Sequence, residues 1–382
     1  MKKITFFALF ATILFIVSCK PTTTQQADQA MNNIIKDLNA VGLSVAVVKN
    51  NQIVYTGGFG IKNIDKGTQI STDDIFRIAS ISKSFTATAI MQLYEQGKFD
   101  LDDDVSDVFG LPVRNPNYPD IPITYRMLLT HTASLNDTTG YFSFDVIDPQ
   151  KTKEVWRAYN RYAPGTQYEY CNLGYNMLGA LVEIHSKERF VLYVKKHILD
   201  PLGLNANFNI DALNESQFVT LYNYSNERFV ESPDAYRSRA AELENYIMGH
   251  TAPIFSPTGG MKIAPKDLAK HMLVQINYGS WNGVQILKPE SVTAMQTPFE
   301  YPEKTVDYGF AITTTTKLID GETLKGHTGS AYGLYSAMFF EPEKKFGFIM
   351  MTNGCPAERS DNGFLTIQSE VINALYKIFI RP

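Results

Sequence analysis

The beta-rich segments of this chain lie at its two ends, with a long helix-patterned interior between them, and that distribution limits the fold more than any other feature. Near the N-terminus, Leu43-Ser44-Val45-Ala46-Val47-Val48 and Gln52-Ile53-Val54-Tyr55 flank Asn50-Asn51, the pattern of a hairpin, and Gly57, Gly58 and Gly60 end the second run. From Tyr308 onward, short beta-like runs recur at 310–316, 323–327, 332–341 and 346–352, separated by turn clusters such as Glu341-Pro342-Glu343-Lys344-Lys345. Helical periodicity marks 31–38 and 364–378, and the interior carries further helical patterns at 124–129, 177–182 and 190–198. Distant strands without an internal repeat pair most simply in one sheet. The expected fold is therefore α/β (α+β): a central antiparallel sheet built from both chain ends and flanked by helices, with a mostly helical lobe inserted. The sheet lobe is expected over 31–75 and 285–382, and the inserted lobe over 76–284.

The first residues read as a targeting segment. Lys2 and Lys3 precede an apolar run from Ile4 to Val17, too short to span a membrane comfortably, which ends in Ile16-Val17-Ser18-Cys19. Residues 1–18 are read as a signal peptide. The ending resembles the bacterial lipobox, which implies cleavage before Cys19 and lipidation of that residue. The polar stretch 19–30 is then expected to be a flexible tether, and the protein to be lipid-anchored in a bacterial cell envelope, facing the periplasm or the cell surface. The net charge of −4 becomes more negative once both leader lysines are removed, and no basic stripe suggests nucleic acid. With Cys19 assigned to lipid, only Cys171 and Cys355 remain, too few for a disulfide scaffold. Buried free thiols are the expectation, and one bridge is the alternative. The six histidines are scattered without ligand spacing, so no metal or other cofactor is implied.

Chemistry concentrates in FRIASISKSFTATAIMQL, residues 76–93. Ser80 and Lys83 stand three apart ahead of a helical pattern, which puts both on one face. A serine in the first turn of a helix has unpaired N–H groups and the positive end of the dipole beside it. A lysine one turn on accepts the serine proton once burial lowers its pKa. Two more short motifs supply partners. Tyr170-Cys171-Asn172 precedes a helix after the Pro164-Gly165 loop; its phenol relays a proton if a nearby ammonium lowers its pKa, and its amide both donates and accepts. His327-Thr328-Gly329 lies close to a strand edge, where glycine permits close approach and the next N–H completes an oxyanion hole. His131 reads as a satisfied structural histidine, because nothing nearby completes a Ser-His-Asp set.

With FRIASISKSFT, PITYRMLLTHTASL and YCNLGYNMLG in this order, the chain resembles the serine beta-lactamase-like family over about residues 31–380. The likeness is to the branch of class C beta-lactamases, D-alanyl-D-alanine carboxypeptidases, D-aminopeptidases and related esterases. The resemblance implies Ser80 as nucleophile and Lys83 and Tyr170 as proton-handling groups. It also implies Asn172, His327, Thr328, Gly329 and Ser330 as substrate-binding residues, the N–H groups of Ser80 and Ser330 forming the oxyanion hole. Ser82 and Tyr168 lack the family's offsets. The strand triplet of these relatives usually begins with lysine; histidine here pairs more weakly with a substrate carboxylate at neutral pH. The implied function is a serine hydrolase acting through an acyl-enzyme on a D-amino-acid peptide, a peptidoglycan-related peptide or a small ester. Beta-lactamase or carboxypeptidase activity, and a slowly deacylating penicillin-binding or sensing module, are the alternatives.

Overall fold

The computed structural model describes residues 21–381. The signal-peptide reading of 1–18 and the lipidation of Cys19 lie outside the described residues. Helix α1 (Thr23–Asp37) is followed by strands β1 (Gly42–Lys49), β2 (Gln52–Asn63), β3 (Thr68–Gln69) and β4 (Phe76–Arg77), then helix α2 (Lys83–Glu95). The interior contributes α3 (Asn172–Ser186), β5 (Ala206–Asn207), β6 (Lys262–Ile263) and α4 (Pro265–Ile276), among many short turns. The C-terminal part adds β7 (Thr313–Thr315), β8 (Leu324–Ala331), β9 (Leu334–Glu341), β10 (Phe346–Thr352) and α5 (Thr366–Leu375).

One seven-stranded sheet has the order β7-β8-β9-β10-β1-β2-β3. The two chain ends meet where β1 pairs antiparallel with β10, Val45 opposite Met350. Both faces of this sheet are covered, which explains why β1 and β10 read as unbroken apolar runs. Leu43, Val45, Val47, Phe346, Phe348 and Met350 pack toward α1 and α5, while Ala46, Val48, Ile349 and Met351 belong to the larger core on the other face. Helix α4 packs against β1 and β10 on that second face. Its residues were expected in the inserted lobe, but its apolar face belongs to the sheet.

Two other expectations change. The stretch 19–30 is not a tether throughout: α1 starts at Thr23, with Ala27 and Met31 fully buried against β2 and α5. A capping box starts it, Thr22 Oγ1 accepting from the Gln25 N–H at 3.2 Å and Gln25 Oε1 accepting from the Thr22 N–H at 2.9 Å. Tyr55 donates to Asp28 Oδ1 at 2.5 Å and fixes the helix to β2. The strand expected to stop at His327 runs on to Ala331, because Tyr332 and Gly333 both take positive φ and close a two-residue hairpin turn.

If α1 is part of the fold, Met31→Ala should lower stability by about 2–5 kcal/mol, the range for emptying a buried methionine site. Urea unfolding checks this. A tether residue would leave the midpoint unmoved.

Candidate active site

Ser80 lies in a single 3₁₀ turn, Ala79–Ser82, that runs directly into α2. Its N–H is among the first of the turn and has no acceptor within it. Ala79 holds φ at +48°, a left-handed conformation that a non-glycine residue adopts only under constraint from its surroundings. The turn is pinned from several sides. Ser82 Oγ donates to the Ala79 carbonyl at 2.6 Å and accepts from the Met261 N–H at 3.0 Å. Ser82 is thus structural.

Strand β8 closes over the turn. A Cβ on Gly329 would lie 2.3 Å from the Ile78 carbonyl oxygen and 3.3 Å from the Ala79 Cβ, so only glycine lets the strand come this near. Strand β7 pairs with β8 only at Leu324–Gly326, which leaves the edge from His327 to Ala331 without a strand partner on that side. Thr328 is half-buried and Ser330 exposed along this edge, beside the turn that holds Ser80.

Lys83 is fully buried, and three oxygens surround its Nζ: Ser80 Oγ at 3.1 Å, Asn172 Oδ1 at 2.8 Å and the Thr258 carbonyl at 2.9 Å. Burial pushes its pKa down to about 7, with Asp137 and Cys171 opposing. The partners suit either protonation state. Nζ donates to all three oxygens, and the Ser80 hydroxyl, able to donate as well as accept, serves the neutral amine too. Lys83 Nζ thus stands within hydrogen-bond reach of the Ser80 hydroxyl.

Tyr170 stands differently from expectation. Lys83 Nζ lies over the face of its ring, 4.6 Å from the centroid, rather than beside its oxygen. The phenol Oη is buried and has no hydrogen-bond partner among the described residues. Burial pushes its pKa up; the Ser80 hydroxyl works against this but does not reverse it. Tyr170 thus stays a neutral phenol, an O–H donor rather than a phenolate.

Both ends of the Asn172 amide are engaged by protein groups. Its Oδ1 accepts from Lys83 and, at 2.6 Å, from Thr258 Oγ1, and its Nδ2 donates to Asp137 Oδ2 at 2.8 Å. Asp137 also accepts from the Asn172 and Leu173 N–H groups at 2.9 and 3.0 Å, capping the N-terminus of α3, and from Cys171 Sγ at 3.3 Å. By taking the Nδ2 end, this carboxylate turns the oxygen end toward Lys83. Asp137 and Thr258 were missed from sequence. No spacing rule ties residue 137 or 258 to residue 172, and both lie in loops.

His327 faces the cluster but is buried, with both ring nitrogens engaged. The Thr328 carbonyl accepts from its Nδ1, so in the neutral ring Nε2 accepts from the Tyr308 hydroxyl at 3.1 Å. Burial and nearby Lys83 push its pKa down to about 4, against the Thr328 hydrogen bond. A neutral imidazole is the state in which it was expected to pair only weakly with a substrate carboxylate. His131 is satisfied only at Nδ1, by the Cys171 N–H at 3.1 Å, while its buried Nε2 has no partner among the described residues. Cys171 and Cys355 are buried free thiols.

Residues 27–367 match the Beta-lactamase family, and the chain belongs to it. Protein flp of Staphylococcus aureus (strain N315) is 29% identical over 187 residues, which cover 47% of this chain and 37% of that protein. The chain thus matches less than half the length of this curated relative. Among solved structures, the octameric penicillin-binding protein homologue from Pyrococcus abyssi superposes with a TM-score of 0.72 at 26% identity, covering 92% of this chain and 76% of that one. The D-amino acid amidase from Ochrobactrum anthropi SV3 gives a TM-score of 0.70 at 20% identity, covering 92% and 98%, a likeness of fold.

Replacing Asp137 removes a helix cap and the restraint on Asn172 together. Asp137→Ala should lower stability by about 1–3 kcal/mol, measured by urea unfolding. No loss would mean that Asp137 is dispensable to α3.

Proposed function

We propose that this member of the Beta-lactamase family is a serine hydrolase that forms an acyl-enzyme on Ser80 and prefers neutral amides or esters, D-amino-acid amides and short peptides among them. The observation that carries this reading is Lys83: a fully buried amine whose pKa burial lowers to about 7, with the Ser80 hydroxyl at 3.1 Å. As Ser80 Oγ attacks the substrate carbonyl, its proton passes to Lys83 Nζ. The N–H groups of Ser80 and Ser330 are assigned to the oxyanion that develops. Collapse breaks the bond to the leaving group, and the departing amine or alkoxide takes the proton that Lys83 Nζ accepted from Ser80, with the neutral Tyr170 O–H as a further donor beside the site. Water then hydrolyses the acyl-enzyme and restores Ser80.

The preference for neutral substrates rests on His327. A leaving group with a terminal carboxylate gains from a fixed cation on the strand edge, and a buried imidazole with its pKa near 4 does not supply one. The D-amino acid amidase shares the fold, which supports including D-amino-acid amides among the candidates.

The pH dependence has a definite sign. The neutral fraction of Lys83 grows as pH rises through about 7, so acylation of Ser80 by a fluorophosphonate should speed up over that range and then level off. Mass spectrometry should place the adduct on Ser80, and Lys83→Ala should slow labelling by about two orders of magnitude or more. An adduct on Ser82, or a rate independent of pH and of Lys83, would remove the lysine from the role of base.

A second test addresses substrate charge. For matched substrates with and without a carboxylate beside the scissile bond, the ratio of kcat/KM values should stay flat from about pH 5.5 to 8, since His327 titrates lower. A ratio that climbs in favour of the carboxylate substrate toward the acid end would show a protonating imidazole in the site.

A further inference from the structure

Behind the strand that leads to Ser80, the small sheet of β4, β6 and β5 sets two cations against each other. In the antiparallel register, Arg77 stands directly opposite Lys262 and Phe76 opposite Ile263. Like charges at directly opposed positions repel. Both residues are also buried, 8% and 5% exposed. Among the described residues neither forms an ion pair. Arg77 Nε donates to the Gly259 carbonyl at 3.0 Å, its Nη1 to the Ala235 carbonyl at 3.5 Å, and Lys262 Nζ to the Phe208 carbonyl at 2.6 Å. These are neutral acceptors. The guanidinium also packs over the Tyr332 ring at 4.7 Å.

The two side chains flank a cavity of about 20 Å³, also lined by Arg239, Ser256, Arg237 and Asp234. That volume is enough for a small occupant such as a water or a single ion. Among the described residues, none of the surrounding acids forms an ion pair with Arg77 or Lys262. Asp234 is exposed, Arg237 and Arg239 share Glu242, and exposed Asp211 acts on Lys262 from outside, with Ser238 on one of its oxygens.

We propose that this cavity binds a single monatomic anion, chloride, between Arg77, Lys262 and Arg239. The competing solution is that Lys262 gives up its proton, as burial and the two neighbouring arginines push it to do, and the cavity holds water. That solution leaves the guanidinium of Arg77, which is charged at all pH values a protein meets, without a counter-ion in a buried site. An anion answers both charges at once. The site lies outside the acylation machinery but touches it indirectly. Arg77 holds the Gly259 carbonyl, and the preceding residue, Thr258, supplies the carbonyl that accepts from Lys83. The inference holds whether or not Ser80 is acylated.

Crystals of the protein soaked in sodium bromide should show one anomalous peak in the cavity, in contact with Arg77 and Lys262. In solution, the melting temperature should be higher by about 2 °C or more in sodium chloride than in sodium gluconate of equal ionic strength, which removes screening as a cause. Arg239→Gln, at the partly exposed rim, should shrink that difference, and Lys262→Met should abolish it. Water with no anomalous signal at high bromide, together with equal melting temperatures in the two salts, would overturn the proposal in favour of a neutral Lys262.

Discussion

A lysine side chain with no exposure to water is the constraint on which the rest of the site depends. Burying an ammonium is costly unless its charge is answered, and here the answer is three oxygens and the faces of Tyr170 and Tyr175, 4.6 and 5.6 Å from Nζ to the ring centroids. Each oxygen comes from a different part of the chain: the turn before α2, the start of α3 and the loop before β6. The inserted lobe must therefore close on α2 correctly before Lys83 has its partners. Asp137 makes the arrangement specific, because an amide fixed at its nitrogen end presents only oxygen to the lysine.

The sheet contributes by proximity rather than by side chains. Joining the two chain ends across β1 and β10 places β8 toward one edge of the sheet, where β7 covers only its first residues. Gly329 lets that strand meet the turn bearing Ser80 at a distance no other residue allows, and the Ser336 hydroxyl on β9 secures the contact by donating to the Ile78 carbonyl at 3.2 Å. The positive φ of Ala79 is held between β8 on one side and the Met261 tie to Ser82 on the other. Strain at the residue before the nucleophile is stable because these contacts over-determine it.

The sheet and the Ser80–Lys83 pair were legible in the sequence because both depend on short-range periodicity: alternation and turn residues for the strands, a three-residue offset for the pair. What was not legible depends on environment. The start of α1 is polar in composition, and its burial rests on Ala27 and Met31, four apart among glutamines and asparagines; the Thr22 capping box was the available local signal. Tyr170 and His327 were expected from the identities of their side chains to respond to charge. Burial reverses that logic for both, pushing the phenol up and the imidazole down. Asp137 gives no sign in the sequence, since its role comes from a loop folding back onto a helix start 35 residues later.

The segment from Ser256 to Ile263 joins these observations. Its Thr258 carbonyl accepts from Lys83, its Gly259 carbonyl from Arg77, and its Lys262 stands across from Arg77 in the small sheet. Two buried lysines thus meet at one short stretch of chain, Lys83 as its hydrogen-bond donor and Lys262 as its own residue, in different electrostatic settings. Lys83 has oxygen neighbours that stabilise either protonation state, so a pKa near neutrality is a natural consequence and proton exchange with Ser80 involves little rearrangement. Lys262 has one carbonyl acceptor and a permanent cation opposite, so its charge persists only with an added anion. The same backbone therefore accepts from a lysine placed beside Ser80 and carries another whose charge depends on what fills the cavity beside it.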